Sequence, residues 1–147
     1  MKMALWGPLT WKLLHTLSAK IIDSKFQAAK EDIFTIIYAI CSSLPCPICR
    51  THATTYIKNN NMNRITNKQE LTNFLFIFHN TVNGRLNKAP HKLSDVVVSA
   101  SLQTTFAAFM HHYTHNRTDD LSYSFQRRLN LKSIMKLMIK HTNNFYD

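Results

Sequence analysis

Glu70-Leu71-Thr72-Asn73-Phe74-Leu75-Phe76-Ile77-Phe78-His79-Asn80-Thr81-Val82-Asn83-Gly84-Arg85-Leu86-Asn87 carries apolar side chains at Leu71, Phe74, Leu75, Phe78, Val82 and Leu86. Steps of three and four residues put these side chains on one face of a helix, and Pro90 blocks its continuation. Similar blocks lie on either side. One runs from about Pro8 to Ile22, with Trp11, Leu14, Leu17 and Ile21 on a stripe. A second runs from about Phe26 to Ile40 or Cys41 and carries Ile33, Ile36, Ile37 and Ile40. Its β-branched content also suits a strand, but its length favours a buried helix. A third begins at Cys46 and reaches about Ile57, before Asn59-Asn60-Asn61-Met62-Asn63 interrupts it as a loop. Ser94 and Asp95 suit the start of a fifth helix, expected to end near His112. After a polar linker, His115 to Asp120, a last helix is expected from about Tyr123 to His141. Its stripe is read as Leu129, Ile134, Leu137 and Met138, opposed by Arg127, Arg128, Lys132, Lys136 and Lys140.

The composition narrows the class. A chain of 147 residues with 45% hydrophobic content is long enough for one domain with a real core. No apolar run approaches a membrane span, and the first residues lack the pattern of a secretory signal, so neither is expected. Three cysteines do not make a disulfide framework for this length. Only two glycines, Gly7 and Gly84, argue against thioredoxin-like or Rossmann folds, whose tight strand–helix turns use glycine freely. The expected fold class is therefore all-α, a bundle of short helices. The net charge of +10 is compatible with steering toward acidic partners, although scattered basic residues also describe an ordinary solvated surface.

The third block opens with Leu44-Pro45-Cys46-Pro47-Ile48-Cys49. Thiols at C-x-x-C spacing can close and reopen a small disulfide ring, so Cys46 and Cys49 are a candidate two-electron redox centre. With Ser42 or Ser43 as the cap and Pro45 in the first turn, the positive helix end would lie close to both sulfurs. That placement lowers a thiol pKa. Alone, the motif also fits a thioredoxin-like site or half of a zinc site. Cys41, on an apolar helix, reads as a buried, inert thiol. A zinc set of Cys41, Cys46, Cys49 and His52 is the sharper alternative, but its compactness and two prolines make tetrahedral closure awkward.

Two further segments mix polar groups into apolar faces. Trp11 and His15 share a helix face in Trp6-Gly7-Pro8-Leu9-Thr10-Trp11-Lys12-Leu13-Leu14-His15, where they suit a flat ring system or plain core packing. His79, Val82, Asn83 and Leu86 share another. Core asparagines are costly without partners; a cofactor rich in donors and acceptors would supply them, and Arg85 or Lys88 would neutralise a phosphate.

Taken in order, W-G-x-x-x-W-x-x-x-H, then C-x-x-C, then H-N-x-V-N-x-x-L-x-K resembles the flavin-linked sulfhydryl oxidases of the Erv/ALR family, most closely the branch encoded by large DNA viruses. The resemblance covers roughly residues 5–90, with the following helix matched by position. It implies a four-helix bundle with a short fifth helix holding FAD at one mouth. It further implies that Gly7, Trp11 and His15 line the flavin site, and that His79, Asn80, Val82, Asn83 and Lys88 contact the adenine, ribose and phosphate parts. Cys46 and Cys49 would be the active disulfide, with Cys49 against the flavin and Cys46 facing substrate. Electrons would pass to dioxygen and yield hydrogen peroxide. The partner would be a thiol-bearing protein substrate or a thioredoxin-like relay protein. A homodimer through the first helices is expected, with no metal, nucleic acid or membrane involved. The expected location is the cytoplasm of an infected host cell or the virion.

The chain also departs from the family pattern. Phe74 stands where many members carry tryptophan, no tryptophan follows Lys88, and no cysteines remain for a second, shuttle disulfide. Residues 1–115 are accordingly read as the FAD-binding domain and 116–147 as a basic, amphipathic helical extension. The extension is expected to pack on its own chain or a sister subunit and to take no direct part in flavin chemistry. The alternative from another class is a small basic zinc or nucleic-acid-binding module built on C-x-x-C-x-x-H.

Overall fold

The computed structural model describes residues 3–95, 100–115 and 121–146. Among them lie six α-helices: α1 (Met3–Lys20), α2 (Phe26–Cys41), α3 (Pro47–Asn59), α4 (Lys68–Arg85), α5 (Leu102–His115) and α6 (Leu121–Lys140). An isolated bridge between Ile21 and Phe145 is the nearest approach to strand pairing among these residues. The all-α expectation holds.

Local chemistry explains where the helices begin. Asn67 caps α4 by accepting the Glu70 N–H at 2.9 Å, while the Glu70 carboxylate accepts from Thr66 and from the Asn67 amide, a reciprocal cap. The start of α3 differs from the expected one. Cys46 is the cap, with its Sγ accepting the Cys49 N–H at 3.2 Å, and Pro47 rather than Pro45 occupies the first turn. Ser42 and Ser43 lie four and three residues before the cap position, at the end of α2, where their hydroxyls donate back to the carbonyls of Tyr38 and Ala39. Helix α5 begins at Leu102, where Ser101 Oγ accepts the Thr104 N–H at 3.0 Å. Leu93–Asp95 forms only a short 3₁₀ turn. Val96 to Ser99 of the expected fifth block, and Asn116 to Asp120 of the expected linker, lie outside the described residues.

Helix α1 packs against α4 and α5, and α2 packs against α3 and α6. The core joins Leu13 and Leu17 of α1, and Ile21 just after it, to Ile36, Ile37 and Ile40 of α2 and Leu71 and Leu75 of α4. Leu131, Ile134 and Met138 of α6 belong to the same core. Full burial of Ile134 contributes roughly 1.5–3 kcal/mol.

The inward face of α6 is not the stripe expected from sequence. It runs Tyr123, Arg127, Leu131, Ile134 and Met138, and His141 just past the helix end continues it, all buried, whereas Leu129 is 44% exposed. Steps of four and three residues define this face, but two of its members are polar and ionisable, which hid it. Each has company. Arg127 lies between the Tyr113 and Tyr123 rings, and His141 is hydrogen-bonded to Asp32 at 2.6 Å, with Lys140 on the same carboxylate oxygen at 2.7 Å.

Candidate functional site

Helices α1, α3 and α4 and the segment after α4 enclose a cavity of about 880 Å³. Gly7, Trp11 and His15 line it from α1, Cys49 from α3, His79, Val82 and Asn83 from α4, and Lys88 from the following segment. One sequence-predicted residue, Asn80, lies outside the lining. Its amide donates to the His91 carbonyl at 2.9 Å and accepts the His91 N–H at 2.8 Å, fastening that segment to α4. Sequence reasoning missed Trp6 and His91, which also line the cavity. The Trp-Gly pair drew attention to the right turn, but nothing periodic follows Pro90 to signal His91.

Trp11 and His79 stack face to face, with centroids 4.0 Å apart and planes 8° from parallel. His15 Nε2 meets His79 Nδ1 at 2.9 Å, so one imidazole must donate and the other accept. Burial drives both histidines down to about 4, with the neighbouring His91 adding to each shift. Near neutral pH the pair is uncharged, as its mutual hydrogen bond requires. Lys12, Arg85 and Lys88 bring positive charge to the same cavity.

Two buried donors at the cavity have no partner among the described residues: the Trp6 indole Nε1 and the Asn83 amide Nδ2, in residues 6% and 5% exposed. Orphaned buried donors are rare and call for an acceptor. A Cβ built on Gly7 would meet nothing within 4 Å, so glycine there leaves room rather than relieving strain. Flat aromatic walls, orphan donors and cations suit a large ligand with a planar ring system, hydrogen-bond acceptors and phosphates.

Cys49 lines this cavity, and Cys46 does not. Burial, followed by the Cys46 thiol beside it, pushes the Cys49 thiol up to about 11. The helix-start effect anticipated from the motif is outweighed there. Cys41 also borders the cavity, buried and pushed up to about 12 by desolvation, as an inert core thiol should be. Among the described residues, no group of three or more His, Cys, Asp or Glu side chains is placed to hold a metal ion. Among the same residues no helix is long and apolar enough to cross a membrane.

Residues 8–101 match the model of the Erv1/Alr family. The chain belongs to the Erv1/Alr family. Among proteins similar to this Erv1/Alr chain is the FAD-linked sulfhydryl oxidase of African swine fever virus (isolate Pig/Kenya/KEN-50/1950). It is 36% identical over 83 residues, which are 56% of this chain and 69% of the viral protein. A putative FAD-linked sulfhydryl oxidase of invertebrate iridescent virus 3 is 38% identical over 85 residues, 57% of each chain. A probable FAD-linked sulfhydryl oxidase of Variola virus is 34% identical over 92 residues, 62% of this chain and 88% of its own. No solved structure matches. The Erv1/Alr match contains the whole cavity lining except Trp6 and Gly7, and ends one residue before α5.

Proposed function

We propose that this chain is an FAD-dependent thiol oxidase of viral origin that forms disulfides in a thiol-bearing partner protein through Cys46 and Cys49. The observation that carries the reading is the division of the pair: Cys49 borders the cavity, and Cys46, three residues earlier, lies outside its lining. The residues fit the cofactor. The Trp6 and Asn83 donors await acceptors, Trp11 and His79 present flat faces, and Lys12, Arg85 and Lys88 suit the two phosphates. Bound FAD would supply a two-electron acceptor that hands its electrons to dioxygen, giving hydrogen peroxide.

The protein's own steps follow from thiol chemistry. A substrate thiolate attacks Sγ of Cys46 in the Cys46–Cys49 disulfide, and Cys49 leaves with the electron pair of the broken S–S bond. The second substrate thiol then attacks the mixed disulfide and releases Cys46. The substrate is oxidised by two electrons, and the enzyme pair is reduced by two. Burial favours the protonated form of the released Cys49, so Arg50, the next residue and the adjacent cation, has the task of stabilising its thiolate. His15 and His79 hold a neutral, hydrogen-bonded wall, and Asn80 contributes by pinning His91 against it.

Pairing of two chains through α1 and a cytoplasmic or virion location belong to the same proposal; size-exclusion chromatography with light scattering tests the former. The central test is a visible spectrum with oxygen uptake. A yellow protein absorbing near about 450 nm that consumes oxygen with dithiothreitol is expected. Colourless protein that takes up no added FAD would refute the reading.

A further inference from the structure

Helix α6 begins beyond the residues matched by the family model, yet its first turn reaches the redox loop. The buried Tyr123 hydroxyl donates to the carbonyls of Ser43 and Leu44, the latter at 2.8 Å. These carbonyls stand directly before Pro45 and Cys46, in the connection between α2 and α3. The Tyr123 ring also carries the Arg50 guanidinium, whose central carbon sits 3.6 Å from the ring centroid. Arg50 Nη1 donates to the same Leu44 carbonyl at 2.9 Å. One side chain from α6 thus touches the loop just before Cys46 and the residue just after Cys49.

We propose that Tyr123 is a positioning residue for the redox pair: it fixes the Ser43–Leu44 turn that presents Cys46 as the α3 cap, and it holds in place the guanidinium of Arg50, the residue after Cys49. An arginine free to swing into solvent spends little of its charge on a neighbouring sulfur. Stacked on a buried aromatic ring and bonded to a carbonyl, it is pre-organised. Its charge then acts against the burial that disfavours a Cys49 thiolate. Arg127 lies 5.6 Å from the Tyr123 ring and 6.0 Å from that of Tyr113. The Tyr113 hydroxyl shares a 2.8 Å hydrogen bond with Thr10 at the cavity wall. The extension therefore braces both the loop and the cavity through contacts within its own chain, and none of its described residues lines the cavity itself.

The inference rests on the proposed redox role of Cys46 and Cys49, so its first readout needs neither flavin nor substrate. In full-length reduced protein carrying Cys46→Ser, the rate of Cys49 alkylation by iodoacetamide is followed against pH. Tyr123→Leu and Arg50→Ala should each slow labelling about threefold or more at a fixed alkaline pH. The double variant should be no slower than the slower single, because Tyr123 acts through Arg50. Labelling at the parental rate in Tyr123→Leu, or additive losses in the double variant, overturns the arginine half. Tyr123→Phe keeps the buried ring, and with it the fold, but removes the donor to the two carbonyls. It should lower kcat with dithiothreitol severalfold while melting temperature and bound flavin stay near wild type; an unchanged kcat overturns the loop half. If the protein were not an oxidase at all, turnover would be absent in the wild type, and the alkylation result would still stand by itself.

Discussion

Replacing Asn83 with leucine should push apoprotein stability and cofactor affinity in opposite directions. The two side chains have the same number of heavy atoms and the same branching, so the exchange nearly conserves shape. Asn83 is 5% exposed, and its Nδ2 has no hydrogen-bond partner among the described residues. A buried donor left unpaired costs about 1–3 kcal/mol, so Asn83→Leu should stabilise the flavin-free protein by an amount of that order. The same amide is proposed to donate to FAD, and losing one buried hydrogen bond of about 1–1.5 kcal/mol weakens binding roughly five- to tenfold. Urea unfolding of flavin-free protein measures the first effect, and titration of apoprotein with FAD, followed by quenching of flavin fluorescence, measures the second. A destabilised apoprotein would mean that the amide has a partner, and unchanged FAD affinity would mean that it faces something else. Either result breaks the argument that the orphan donor marks the cofactor site.

Cys46→Ser and Cys49→Ser should each abolish dithiol-driven oxygen uptake, whereas Cys41→Ala should retain most of it; an equally dead Cys41→Ala would put that thiol in the relay. Stability should also fall on acidification. His15 and His79 are held at about 4 in the fold against 6.5 when free, so between those values the unfolded chain binds more protons than the folded one. Urea midpoints should therefore drop as pH falls from 6.5 toward 4 and stay level above about pH 7, and His15→Gln should flatten the slope; an equal slope in that variant counts against a neutral histidine pair. Ile134→Ala should lower unfolding free energy by about 2–5 kcal/mol in a single urea transition, and an effect below about 1 kcal/mol would show that α6 lies outside the common core.

Periodicity and composition alone carried the all-α class, the extents of α2 and α4 to within two residues, and the three segments that meet at the cavity. These depend on local rules: apolar spacing, scarce glycine, and the position of Pro90. Tertiary structure decided what depends on partners distant in sequence. Ser42 and Ser43 do not cap α3 because they stay folded onto the end of α2, and α3 starts only at Pro47, with Cys46 at the cap position. Asn80 turned away from the cavity because the His91 backbone offered it two hydrogen bonds. Arg127 entered the core, with rings of α5 and α6 close to its guanidinium, while Leu129 stayed 44% exposed. The reach of Tyr123 to Ser43, across 80 residues of sequence, leaves no local trace. A helix stripe is a property of one segment and can be read from it; whether a polar side chain is buried depends on whether a distant segment brings it a partner.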